Sequence, residues 1–256
     1  MASRRLRNLV IAGTTLASSV VAQQAHAASA PAVVQPAAAH PALWGIDTTD
    51  NLQTSGDITQ TKSDLGVPQF VGRYLIYSTK LSTTEAAYIH GQGLLILLID
   101  DPNHVFTSGA IDAQQAIAQA ASLGVPHGAA IFRDVETNDP ITSTYIAAYY
   151  AAFHGSGYTA GFYENAINGP FTGAYCAAVA ANKAIANNSL LYSSEPEQTG
   201  ANPRRSAKPV FGPNKPGCAS RTAAWQYLER GLFPTGTWPN VDVDELAGRF
   251  SSFLWG

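Results

Sequence analysis

From residue 43 onward, short apolar runs alternate with longer stretches of helical periodicity. The pattern predicts strands at 43–47, 69–74, 94–99, 129–135, 160–163, 190–193, 223–227 and 240–243, the last being the weakest. The run "LLILLI" at 94–99 is apolar at every position, so both of its faces need cover. Helical patterns fall between the strands. Ser82, Thr83, Thr84 and Glu85 form a capping-box sequence opening a helix through Ile89. Residues 112–123 are rich in Ala and Gln and stop at Gly124, and 142–153 and 175–186 repeat apolar residues at helical spacing. Apolar strands that each lead into a helix imply a parallel sheet covered on both faces. Eight such units in about 215 residues predict an α/β fold, a single TIM-like (β/α)8 barrel, compact or imperfect, ahead of an open doubly wound sheet.

Polar residues cluster where the strands end. Asp47, Arg73 with Tyr74, Asp100 with Asp101, Asp134 with Glu136, Tyr163 with Glu164, Ser193 to Glu195, Gln226 with Tyr227, and Asp242 with Asp244 each close a predicted strand. In a closed barrel the eight carboxyl ends share one face, where active sites form. The stretch "IFRDVETND" at 131–139 is the most telling. Strand side chains alternate, so Phe132, Asp134 and Glu136 share one face, and Ile131, Arg133 and Val135 the other. Two carboxyls spaced so lie roughly 6–7 Å apart at the backbone and cannot ionise independently. A protonated acid beside a carboxylate suits glycosidic cleavage. The same pair would equally serve to cap a neighbouring helix or to pair with Arg73. Arg133 fits the apolar face only by snorkelling between helices.

The first thirty residues read as an export signal. Arg4, Arg5 and Arg7 precede an acid-free apolar run of about 14 residues, shorter than the roughly 20 that a membrane span needs. Ala-x-Ala patterns at 25–27 and 28–30 offer cleavage sites, and the paired arginines suggest the twin-arginine route. Residues 31–42 form an Ala/Pro-rich linker, which leaves 43–256 as the barrel. The signal holds basic residues and no acids, so the remainder carries a net charge of about −6, and nucleic acid is excluded as a partner. Cys176 and Cys218 are the only cysteines; a disulfide and two separate buried thiols are both consistent with export. Asp100, Asp101 and His104 invite a metal, yet the six histidines supply no His-x-x-x-His pair. A turn with Asx hydrogen bonds is the better reading, with no metal and no cofactor.

Seven short motifs in order resemble the glycoside-hydrolase-like domain of secreted mycobacterial-type proteins and, more distantly, the lysozymes of glycoside hydrolase family 25. They are "WGIDTT" at 44–49, "FVGRYL" at 70–75, "LSTTEAAYIHGQGLLILLI" at 81–99, "IFRDVET" at 131–137, "YTAGFYEN" at 158–165, "AAWQY" at 223–227 and "NVDVDEL" at 240–246. The resemblance implies a TIM-like barrel acting on peptidoglycan or a related cell-envelope glycan. It implies Glu136 as proton donor with Asp134 as its partner, and Asp47, Tyr163, Trp225, Gln226 and Asp242 around the sugar. Arg73, at the end of its strand, is added to the substrate-binding set. Arg133 departs from the family pattern. The long segment 195–221, with five prolines, is placed to cover or narrow the cleft. The leading expectation is an exported or wall-associated monomeric glycosidase without a membrane span once its signal is cleaved. The alternative is a glycan-binding protein that keeps the cleft without efficient turnover, and a metal-dependent deacetylase is a weaker third.

Overall fold

The structure, a computed structural model, describes residues 40–234 and 237–256. The expected signal at 1–30 and residues 31–39 of the linker lie outside the described residues. Eight strands close into a barrel in chain order: β1 (Leu43–Asp47), β2 (Phe70–Ile76), β3 (Leu95–Asp100), β4 (Ala130–Asp134), β5 (Thr159–Glu164), β6 (Leu190–Ser193), β7 (Thr222–Leu228) and β8 (Asp242–Leu246). The first seven run parallel, whereas β8 is antiparallel to both β7 and β1. This corrects the expectation that all eight carboxyl ends share a face. Asp242 opens β8 instead of closing it. Because the strand is reversed, its start lies on the rim that the other seven reach with their ends, where Asp242 pairs with Asp47.

Seven helices surround the barrel: α1 (Leu52–Ser55), α2 (Asp57–Asp64), α3 (Thr83–Gly91), α4 (Gly109–Ser122), α5 (Ser143–Phe153), α6 (Phe171–Ala181) and α7 (Ala184–Asn188). The helix expected at 175–186 is broken at Asn182, whose side chain accepts from the Ala184 N–H and restarts the chain as α7. Among the described residues no helix is long and apolar enough to cross a membrane.

No α-helix lies between β6 and β8 among the described residues. The proline-rich segment 195–221 takes that place. Its Arg205 binds the Val67 carbonyl and Gln69, its Lys208 pairs with Glu245 on the outer face of β8, and its Phe211 packs edge-on against Trp225. Most of it therefore covers the outside of β7 and β8; its start reaches the rim, where Glu197 hydrogen-bonds to Glu229, but none of its residues lines the cavity at the mouth. A disulfide between Cys176 and Cys218 ties the end of this segment to α6, with Cα atoms 5.6 Å apart.

Inside the barrel, large rings meet glycines. A Cβ on Gly45 would collide with the Phe70 ring, and one on Gly161 with the Phe132 ring. Gly45 and Gly161 thus leave the room these phenylalanines fill, which close packing requires. On the outer face, two arginines are wholly buried. Arg73 pairs with Glu85 at 2.7 Å and donates to the carbonyls of Thr48 and Thr79. Ser82 caps α3 as the capping box predicts, but Glu85 does not reach back to it. Glu85 instead accepts from Arg73, from the Leu52 N–H and from Asn51. Arg133 does not snorkel. It lies 4.2 Å over the Phe106 ring, donates to the Tyr145 hydroxyl and to the carbonyls of Asp100 and Val105, and lies 3.6 Å from Asp101.

The bridge closes a loop spanning 42 positions. In the chain-entropy account such a loop contributes about 4 kcal/mol, and native bridges typically contribute about 2–4. Replacing both cysteines by serine is expected to lower unfolding stability within that range, read as a lower urea midpoint by circular dichroism, with the barrel's far-ultraviolet spectrum retained.

Candidate active site

Alternation decides which side chains reach the barrel mouth. Counting from the interior residues Phe70, Phe132 and Leu190, the inward set at the rim comprises Asp47, Tyr74, Asp134, Tyr163, Tyr192, Gln226 and Asp242. All of these but Asp134 line a cavity of about 210 Å³, together with Ile99, Glu136 and Glu229. Glu136 is exposed, just beyond the end of β4. Its N–H donates to Asp139 Oδ2 at 2.7 Å, and His104 Nδ1 lies 3.3 Å from that same oxygen. The β3–α4 and β4–α5 loops are thus stitched together beneath Glu136. The Asx turn expected after β3 is present, with the His104 N–H donating to Asp101 at 2.8 Å. Asn103 and His104 adopt left-handed backbone conformations within it.

The floor is a buried hydrogen-bond chain. The Tyr163 hydroxyl donates to Gln226 Oε1 at 2.6 Å, which turns the Gln226 amide nitrogen toward Asp47 (2.9 Å) and Asp242 (3.4 Å). The Tyr192 hydroxyl oxygen lies 2.9 Å from Asp47 Oδ2 and 2.5 Å from Asp244 Oδ1. A phenol has one hydrogen, so it cannot donate to both carboxyls. One acid must carry a proton and donate to the phenol oxygen. That acid is Asp244, which is fully buried and whose other oxygen has no partner among the described residues, whereas Asp47 also receives the Gln226 N–H. The geometry favours the order Asp244 to Tyr192 to Asp47, with Asp47 the more readily ionised of the two acids, since burial raises Asp244 further.

Burial raises the proton affinity of five acids here. It pushes Asp134 well above the usual carboxylate range, helped by Glu136 and Asp101. It raises Glu136, with His104 pulling down and Glu229 and Asp139 pushing up. It raises Asp47, against the hydrogen bonds from Gln226 and Tyr192. Asp242 is pushed up to about 8 by burial and by Asp47 beside it. Asp244 is raised well above the range by burial and by the Asp47 charge.

Of the residues expected to form the site, Asp47, Glu136, Tyr163, Gln226 and Asp242 line the cavity. Asp134 is buried behind Glu136, its Oδ1 without a partner among the described residues. Arg73 and Trp225 do not reach the cavity. Each is the outward neighbour of an inward residue: Arg73 is consumed by Glu85, and Trp225 is packed against Phe211 and Tyr227. Four lining residues, Tyr74, Ile99, Tyr192 and Glu229, were not in the expected set. Tyr74 and Tyr192 follow from the alternation of β2 and β6, while Glu229 lies just past β7 and carries no sequence signal of its own.

The rim of this closed barrel gathers carboxyls, tyrosines and an amide. The model of the Rv2525c-like, glycoside hydrolase-like domain family matches residues 68–238, and the chain belongs to that family. The match spans Asp134, Glu136, Tyr192, Gln226 and Glu229, whereas Asp47, Asp242 and Asp244 lie outside it. No curated protein matches the chain. Among solved structures, an uncharacterized B. stearothermophilus protein is 28% identical with a TM-score of 0.76, covering 83% of this chain and 100% of its own. The Mycobacterium tuberculosis Tat-secreted protein Rv2525c, in complex with HEPES, is 14% identical with a TM-score of 0.49, covering 80% and 95%. The modular Cpl-1 endolysin, complexed with a peptidoglycan analogue, is 13% identical with a TM-score of 0.45, covering 80% and 53%.

Tyr192→Phe removes the shared hydroxyl and strands two buried carboxyls, so it is expected to cost about 1–3 kcal/mol in urea unfolding. Asp244→Asn keeps a neutral donor toward Tyr192 and is expected to cost markedly less. Equal losses would argue against a proton resident on Asp244. A carboxyl whose folded pKa is raised contributes stability that is complete below its unfolded value and is lost as pH rises through the folded one. Asp242 rises to about 8 and Glu164, buried on the outer face of β5, also to about 8, each mainly through burial. Unfolding stability is therefore expected to fall from about pH 4 to about pH 8, and Asp242→Asn to flatten that slope in a pH series of urea titrations.

Proposed function

We propose that this is an exported glycoside hydrolase acting on peptidoglycan or a related cell-envelope glycan. Family membership and the rim chemistry support the reading, and the resemblance of the motifs to family 25 lysozymes points to the substrate. The observation that carries it is Glu136: an exposed acid with raised proton affinity, at the edge of a cavity floored by the carboxylate of Asp47. At about 210 Å³ the cavity falls below the roughly 300–1,000 Å³ of drug-sized sites and suits one sugar ring.

In the proposed reaction Glu136 gives its proton to the glycosidic oxygen as the bond from that oxygen to the anomeric carbon breaks. Positive charge gathering at that carbon faces Asp47, which Gln226 and Tyr192 hold in place. Water then adds to the carbon and Glu136 recovers a proton from it. Burial, with Glu229 and Asp139 nearby, favours the protonated form of Glu136, and Asp134, buried behind it, keeps a proton of its own. This differs from the expectation of Asp134 as the partner of Glu136, acting as nucleophile or as stabiliser of the sugar cation. Asp242, Gln226 and Tyr163 would orient the sugar hydroxyls.

Incubating purified peptidoglycan with the protein is expected to release muropeptides with new reducing ends, identified by mass spectrometry. Glu136→Gln is expected to lower release by roughly 10²–10⁴-fold, the usual weight of a general acid. Retained pull-down on the same glycan without release would instead establish the binding-protein alternative.

A further inference from the structure

The end of the barrel away from the mouth holds a cavity of about 670 Å³. Topology sets its place. Thr222 opens β7, whose far end presents Gln226 to the mouth, and Arg249 follows the reversed β8. Three cations line the cavity: Lys215, Arg221 and Arg249. Aromatic faces accompany them. The Arg221 guanidinium lies 5.4 Å from the Phe250 ring centre and 5.7 Å from that of Phe253, and Arg249 lies 4.6 Å from Phe250. None of the three cations makes an ion pair among the described residues, and no acid lines the cavity.

This concentration of positive charge occurs in a chain with more acids than bases. Like charges gathered without a counter-charge repel one another, and a bound anion relieves that repulsion. The hydroxyls of Ser220 and Thr222 are buried at the same wall and have no hydrogen-bond partner among the described residues. Arg221 is held by donation to the Asn187 carbonyl at 2.9 Å, which fixes its position with further N–H groups to spare. Arg221 and Phe253 also line an adjoining cavity of about 490 Å³, so the recess extends well beyond the size of a lone phosphate.

We propose that this recess is a second binding site, for an anionic saccharide: a sugar bearing a phosphate or carboxylate. The anion would meet Arg221, Arg249 and Lys215, and the sugar face would lie against Phe253. The site is independent of the cleft, so it stands whether or not Glu136 performs hydrolysis.

Isothermal titration calorimetry of the purified protein with glucose 1-phosphate, glucuronic acid, inorganic phosphate, adenosine monophosphate and glucose tests this. At least one sugar anion is expected to bind saturably, about tenfold or more tighter than glucose, the worth of one charge-assisted contact. Which of the two binds more tightly distinguishes phosphate from carboxylate recognition. Arg249→Glu and Lys215→Glu, both at exposed positions, are each expected to weaken binding by about tenfold or more. Phe253→Ala is expected to weaken the sugar anion but not inorganic phosphate, and Glu136→Gln to change nothing. Absence of saturable binding by either sugar anion overturns the proposal, as does binding indifferent to both charge reversals. Adenosine monophosphate binding as tightly as the better sugar anion overturns the saccharide class.

Discussion

The reversal of β8 is the constraint on which the site depends. A barrel must pair its last strand with its first, and here that strand returns antiparallel between β7 and β1. Its register sets Asp242 opposite Asp47 and Asp244 opposite Gly45. The missing side chain of Gly45 is filled by Phe70, while Asp244 reaches Tyr192 across the barrel. The pairing therefore brings three carboxyls into one low-dielectric space, where they cannot all be charged. Tyr192 and Gln226 resolve the conflict by distributing hydrogens: one acid keeps a proton, and Asp47 receives two donors. A parallel β8 would put Asp242 and Asp244 at other depths, and the floor would lose both its proton store and its polarity.

The outer layer answers a different demand. A TIM-like barrel needs cover on every strand, yet among the described residues no α-helix follows β6 or β7. The proline-rich segment and a belt of aromatics meet that need, with Trp44 donating its indole N–H to Tyr227 and Trp225 wedged between Tyr227 and Phe211. The disulfide anchors this irregular cover where helix packing would otherwise hold it. Arg73 and Arg133 do similar work beside the rim. Each is a buried cation saturated by carbonyls and by an acid or a phenol, and each fastens a loop at the rim of the mouth cavity. Removing either would leave buried partners unpaired and slacken the rim without touching the sugar.

Much of this was legible in the sequence, because period-two alternation and strand-end polarity survive in short motifs. All eight strands were located, and five of the expected site residues line one cavity. The misplaced ones share a cause. Arg73 and Trp225 were chosen for their chemistry at strand ends, while their neighbours Tyr74 and Gln226 occupy the inward positions. The alternation that sorted Asp134 from Arg133 sorts them equally well, and it also exposes Tyr192 beside Leu191. Strand direction was not legible, because alternation reads the same both ways. Nor was the destination of Glu85: a capping-box glutamate looks identical whether it turns back to its own helix or is claimed by an arginine on a neighbouring strand.

Charge is divided along the barrel axis, and the division constrains what each end can bind. The mouth gathers Asp47, Glu136, Glu229 and Asp242, and the opposite end gathers Lys215, Arg221 and Arg249. A negative rim repels anionic groups, so the sugar entering the cleft is best matched by a neutral stretch of glycan with hydroxyls and amides to offer. The same negative field raises the proton affinity of Glu136 and helps to keep it an acid. Anionic substituents on a polymer would be excluded from the mouth and drawn to the cationic recess at the far end. A glycan with neutral and charged segments would then meet the protein in one orientation, its charged part held away from the acids that would act on the neutral part.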